Sequence, residues 1–174
     1  MYDVLILSIE QLKQFKEKIS FDNLTVETMN HLGNIKEKYY YEKWPFLNNL
    51  NGILYHIYTG DPFGEFGCGD GLFEFQFESE SMEAFLPYWS PKWQDVDDLK
   101  NDLVPISIKK EFSQSFKQLV DLLLKNSLIK TILFLCSGQS LEREIIYGKI
   151  SKEMFYSLLE DGHIATNICY IIGE

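Results

Sequence analysis

The chain has 174 residues, 45% of them hydrophobic, 15% aromatic and 24% charged. That suits one domain, spanning 1–174, with a sizeable core, and it excludes a disordered chain. The formal net charge of −10 argues against non-specific nucleic-acid binding and against docking on an anionic membrane, since both favour basic surfaces.

Residues 4–7 form a short apolar run that predicts a strand. Ser8 and Gln11 then have capping-box spacing, and Leu12, Phe15 and Ile19 recur at helical intervals, so a helix is expected over 9–19. Residues 21–24 read as a turn. Thr25 is placed to cap a second helix carrying Met29, Leu32, Ile35 and Tyr39, which Trp44-Pro45 ends because a residue before proline leaves the helical region.

Residues 53–58 are dense in β-branched and aromatic side chains and predict a strand. Glycines 64, 67, 69 and 71 mark 59–71 as a connection. In 72–78, Phe73, Phe75 and Phe77 alternate with Glu74, Gln76 and Glu78, the period of a strand with one apolar face. The two strands are expected to pair as a hairpin. Residues 79–102 resist assignment, because Pro87 and Pro91 interrupt a segment rich in large apolar residues.

A short strand is expected over 104–108. A helix over 109–125 would carry Phe112, Phe116, Leu119, Val120, Leu123 and Leu124 on one stripe. A buried strand is expected over 128–136, with Ser137-Gly138 turning the chain into an antiparallel partner over 144–150. Ser151 caps a helix bearing Met154, Phe155, Leu158 and Leu159, and Gly162 suits its C-terminal end. Residues 164–172 read as a closing strand. The element order predicts α+β, a mainly antiparallel sheet packed with helices in a single layered domain.

The N-terminus has no basic region ahead of an apolar core and no small-residue cleavage site, so no signal peptide is expected. No apolar run reaches the length of a membrane span, and a cytoplasmic protein is the default expectation. Cys136 and Cys169 lie in apolar runs and read as core residues, whereas Cys68 sits among glycines. No C-x-x-C spacing occurs.

Candidate chemistry is sparse. His31, His56 and His163 lack a second ligand at metal-binding spacing. The acids of 61–70 do not follow a calcium-loop pattern. The glycines of 64–71 lead into a strand rather than a helix, and no Lys-Ser or Lys-Thr follows them, which rejects a phosphate loop. The Cys136–Ser140 turn lacks G-x-S-x-G. Glu142 and Glu144 flank Arg143 and read as an exposed charged strand. No catalytic residue, metal or cofactor is assigned, and a non-enzyme is expected.

The charge distribution says more. Residues 61–102 hold 11 acids against two lysines, net −9, whereas residues 1–60 come to −1 and residues 103–174 to 0. Concentrated like charges repel and cost stability, a cost that a basic partner relieves while its encounter is accelerated. Aromatic side chains share the stretch, and these are favoured anchors at interfaces. The candidate partner-binding residues are therefore Asp61, Glu65, Asp70, Glu80, Glu83, Trp89, Trp93, Asp95, Asp97, Asp98 and Asp102. The plainer alternative is a solvated acidic face that aids solubility.

Residues 133–172 contain Ser137-Gly138-Gln139 after a strand, Gly148-Lys149-Ile150 before a helix and Asn167-Ile168-Cys169-Tyr170 in the last strand. In these features the chain resembles the small acidic immunity proteins of bacterial polymorphic-toxin and contact-dependent inhibition systems. The resemblance implies a single-domain cytosolic inhibitor that neutralises a cognate toxin by direct stoichiometric binding. Its partner would be a basic protein, commonly a nuclease domain. The alternatives are a regulatory interaction module with an acidic docking face, or a small metal-dependent hydrolase using 61–70.

Overall fold

The computed structural model describes residues 2–13, 19–21, 23–28, 51–59, 69–76, 103–138 and 146–174. In chain order the strands are β1 (Tyr2–Ile9), β2 (Ile19–Phe21), β3 (Leu24–Thr28), β4 (Gly52–Tyr58), β5 (Phe73–Phe75), β6 (Pro105–Ile108), β7 (Thr131–Gly138), β8 (Ile146–Ser151), β9 (Ile164–Ala165) and β10 (Cys169–Gly173). Helix α1 spans Lys110–Asn126 and α2 spans Lys152–Glu160, and a short 3-10 helix covers Gly69–Leu72. The architecture is α+β.

Among the described residues seven strands form one sheet in the order β2-β3-β4-β1-β7-β10-β8, and β5-β6-β9 form a second. All pairs are antiparallel except β8 with β10. That parallel pair needs a crossover, which α2 supplies. The predicted 144–150 strand is thus present but pairs with β10 in parallel, not with β7 as a hairpin. Tyr147 is an extra residue in it, since Cys169 faces Ile146 and Tyr170 faces Gly148.

β1 lies at the centre, hydrogen-bonded to β4 and β7. This explains its unbroken apolar run, because both of its faces are buried. Val4 and Ile6 join Val26, Ile57, Phe134 and Tyr170 on the face covered by the helices. Leu5, Leu7 and Ile9 join Leu54, Leu133, Leu135 and Cys169 on the other. Cys136 belongs to the first set and Cys169 to the second. Both are buried, as expected, and they project from opposite faces, so they cannot bridge each other.

The helix-covered face is aromatic at its centre. Phe73, Phe116 and Phe134 meet edge to face, with ring centroids 6.0–6.2 Å apart and interplanar angles of 80–84°. Phe155 lies against Phe134 at 5.1 Å. Such tilted contacts align ring edges with ring faces and favour one arrangement of the core. The α1 stripe buries Phe116, Leu119, Val120, Leu123 and Leu124.

Helix α2 begins as the sequence predicts: Ser151 Oγ accepts from Met154 N at 3.2 Å. It ends before Gly162, whose φ of +73° favours glycine. The two helices are joined by Lys117 with Glu160 and Lys152 with Asp121, the latter at 3.1 Å. Between these pairs the Tyr156 hydroxyl lies 3.0 Å from Asp121 Oδ1 and 3.1 Å from the Lys117 carbonyl.

Several expectations are corrected. Ser8 is no helix cap; it is a fully buried residue of β1 whose Oγ donates to the Leu123 carbonyl at 3.3 Å. Glu10 takes a φ of +56°, which ends the strand in a turn, and Gln11 accepts from Tyr55 rather than closing a capping box. Ile19 lies in β2 and Thr25 in β3, so tertiary pairing overrides helical spacing at both. Of the proposed helices, 14–18 and 29–45 lie outside the described residues.

Residues 53–58 do form β4, but it pairs with β1 and β3 rather than with 72–78. Leu72 ends the 3-10 helix, and β5 joins β6 in the second sheet. Ser137 and Gly138 continue β7 instead of turning, while Leu128 and Ile129 occupy a turn before it. The expected 164–172 strand is split at Asn167, whose φ of +59° interrupts extended backbone.

Candidate functional site

The described residues that flank 77–102 lie at neighbouring points of the small sheet. β5 and β6 pair with Phe75 facing Ile106, and Gln76 N donates to the Pro105 carbonyl at 2.9 Å. The chain therefore leaves at Gln76 and returns at Leu103 side by side. The return is clamped: Val104 N donates to Thr166 Oγ1 at 2.9 Å, and Thr166 N donates back to Val104 O at 2.8 Å. Leu103 and Val104 are buried. Upstream, the Gly69–Leu72 turn packs on β1 and β4, and Lys109 N donates to Leu72 O at 3.0 Å. Tyr2 covers the base, its ring 4.7 Å from that of Phe75.

Asp70 falls within the 3-10 helix at this base. Asp61, Glu65, Glu80, Glu83, Trp89, Trp93, Asp95, Asp97, Asp98 and Asp102 lie outside the described residues, as do Cys68, His31, Glu142, Arg143 and Glu144. Glu74 is exposed, beside buried Phe73, which matches the alternation of its strand.

Sequence reasoning missed a polar group on the sheet face opposite the helices. His56 Nε2 lies 3.3 Å from Asp3 Oδ1, the two side chains 7% and 18% exposed. The contact is electrostatic rather than a directed hydrogen bond. Glu27 stands directly across from His56 on β3, and Ser137 directly across from Asp3 on β7. The His56 ring tilts over Tyr58 at 5.4 Å. Strand alternation would have placed His56 with Leu54 and Tyr58, but its meeting with Asp3 depends on sheet register, which no local pattern reveals. Ser137 Oγ donates to the Gly138 carbonyl at 3.4 Å rather than to Asp3.

Among the described residues no three His, Cys, Asp or Glu side chains are grouped to share a metal ion. No helix among them is long and apolar enough to cross a membrane. No protein-family model, curated protein or solved structure matches the chain.

Proposed function

We propose that this chain is a small acidic inhibitor of the immunity-protein type, which neutralises a cognate toxin by stoichiometric docking. The observation that carries this reading is the concentration of net charge in 61–102. The anchoring of that stretch supports it: the ends of 77–102 emerge from adjacent, hydrogen-bonded strands. Binding residues are often carried between elements that a scaffold fixes in place. The acids would meet Lys and Arg of a basic partner, and Trp89 and Trp93 would supply buried contact area.

The test is affinity capture with the tagged chain from its native host at low and high salt, followed by mass spectrometry. One basic protein in near-equal amount, released by salt, is expected. Absence of any partner at either salt would overturn the reading.

A further inference from the structure

Asn51-Gly52 is the one asparagine-glycine pair in the sequence. In such a pair the side-chain amide carbon can close a ring with the next backbone nitrogen. Glycine carries no Cβ to hinder that nitrogen or to restrict the rotation that brings the two together.

The structure separates this asparagine from the others. Four asparagines are among the described residues, and three of them are held by their side chains. Asn23 Nδ2 donates to Glu111 O at 2.7 Å, Asn126 Nδ2 donates to Leu122 O at 2.8 Å, and Asn167 Oδ1 accepts from Gly138 N at 2.7 Å. The nitrogen that follows Asn126 is engaged as well, since Ser127 N donates to Leu123 O at 3.0 Å. Asn51 is exposed, and its side chain makes no hydrogen bond with the described residues.

The glycine is required by the fold. Gly52 faces Ile9 across the β1–β4 pair and takes a φ of +154°. A Cβ there would come within 2.3 Å of Ser8 O. That oxygen belongs to the central strand, which is held between β4 and β7 and cannot retreat. Packing β4 this closely on β1 therefore keeps a labile pair at the start of β4.

We propose that Asn51 is a site of spontaneous deamidation and isoaspartate formation in the folded protein. The Gly52 nitrogen gives its proton to water and attacks Asn51 Cγ. The new C–N bond forms, the Cγ–Nδ2 bond breaks, and ammonia leaves. Water then opens the resulting succinimide. Attack at the side-chain carbonyl gives aspartate. Attack at the main-chain carbonyl gives isoaspartate, whose backbone runs through the former side chain and is longer by a methylene. Either product adds a negative charge beside Glu10, whose N donates to Asn51 O at 2.8 Å. Isoaspartate also displaces that acceptor, at the point where the chain leaves β1. The site is separate from the acidic stretch, so the proposal stands apart from the inhibitor reading.

Incubation of the folded full chain at mildly alkaline pH, followed by peptide mapping with mass spectrometry, tests it. The peptide holding Asn51 should lose its amide at least tenfold faster than those holding Asn23, Asn126 or Asn167. It should also accept methyl groups from S-adenosylmethionine when a protein isoaspartate methyltransferase is added. Asn51→Gln should abolish both signals, because the longer side chain would have to close a larger ring. The aged wild type should unfold at lower urea than the fresh protein, and Asn51→Gln should age without that loss. Conversion at Asn51 only after unfolding in urea would overturn the proposal. So would a folded chain in which Asn51 converts no faster than Asn126.

Discussion

The Tyr55 hydroxyl donates to Gln11 Oε1 at 3.0 Å, tying the segment after β1 to the buried face of β4. Gln11 is 5% exposed and its amide donates onward to the Lys13 carbonyl at 2.8 Å. Burial holds the Tyr55 hydroxyl well above the ordinary tyrosine value, so it is a neutral donor at any ordinary pH. Tyr55→Phe removes what Gln11 Oε1 accepts from in a buried setting, at a cost of about 1–3 kcal/mol. Urea unfolding of Tyr55→Phe, Gln11→Ala and the double variant should show non-additive losses. Strict additivity would mean that the pair contributes no coupling.

Asn167 does two jobs between β9 and β10. Its backbone takes a φ of +59°, and its Oδ1 accepts from Gly138 N at 2.7 Å. Asn167→Ala loses the acceptor and strains the backbone, by roughly 1–2 kcal/mol for the strain alone. Asn167→Gly loses the acceptor but keeps the backbone conformation at no steric cost. The expected order of urea midpoints is wild type, then Gly, then Ala, and an Ala variant as stable as the Gly variant would remove the backbone argument.

Glu160 is held below the ordinary carboxylate value of 4.5, chiefly by the hydrogen bond from Lys117. A lowered value in the folded state favours folding above about pH 4.5, and that contribution disappears as pH falls through the folded-state value. Both side chains are more than a third exposed or close to it, so solvent screening keeps the gain to about 0.5 kcal/mol. Glu160→Gln should therefore lower the urea midpoint slightly at pH 7 and leave it unchanged at pH 3. A larger deficit at pH 3 than at pH 7 would contradict this sign.

Charge reversal of Asp95, Asp97 and Asp98 to Lys should slow association with the basic partner and flatten its salt dependence, with dissociation less affected. Stopped-flow or surface-plasmon kinetics at two ionic strengths would read this. Unchanged kinetics would remove those three residues from the interface.

What the sequence reveals divides along physical lines. Helices α1 and α2 are legible because their apolar stripes and the Ser151 cap are local signals. The cores of β1, β4, β6 and β7 are legible because they are short apolar runs. The failures come where long-range pairing decides. Helical spacing puts Ile19 at the end of a helix, but its pairing with Val26 places it in a strand. A parallel β8 cannot be told from an antiparallel one by composition. At the candidate site, the acids and aromatics of 61–102 are visible as a count, but the adjacency of Gln76 and Pro105 at its base emerges only from the sheet. The pairing of His56 with Asp3 has no local signature at all.

The central position of β1 has a consequence for synthesis. Val4 sits between Ile57 and Cys136, so one edge of β1 stays open during synthesis until β7, the seventh strand described, has emerged. Until then an apolar ribbon with free backbone donors and acceptors is available to other nascent chains. A chain truncated before Thr131 keeps that edge open permanently, and it should aggregate rather than persist as a smaller folded unit.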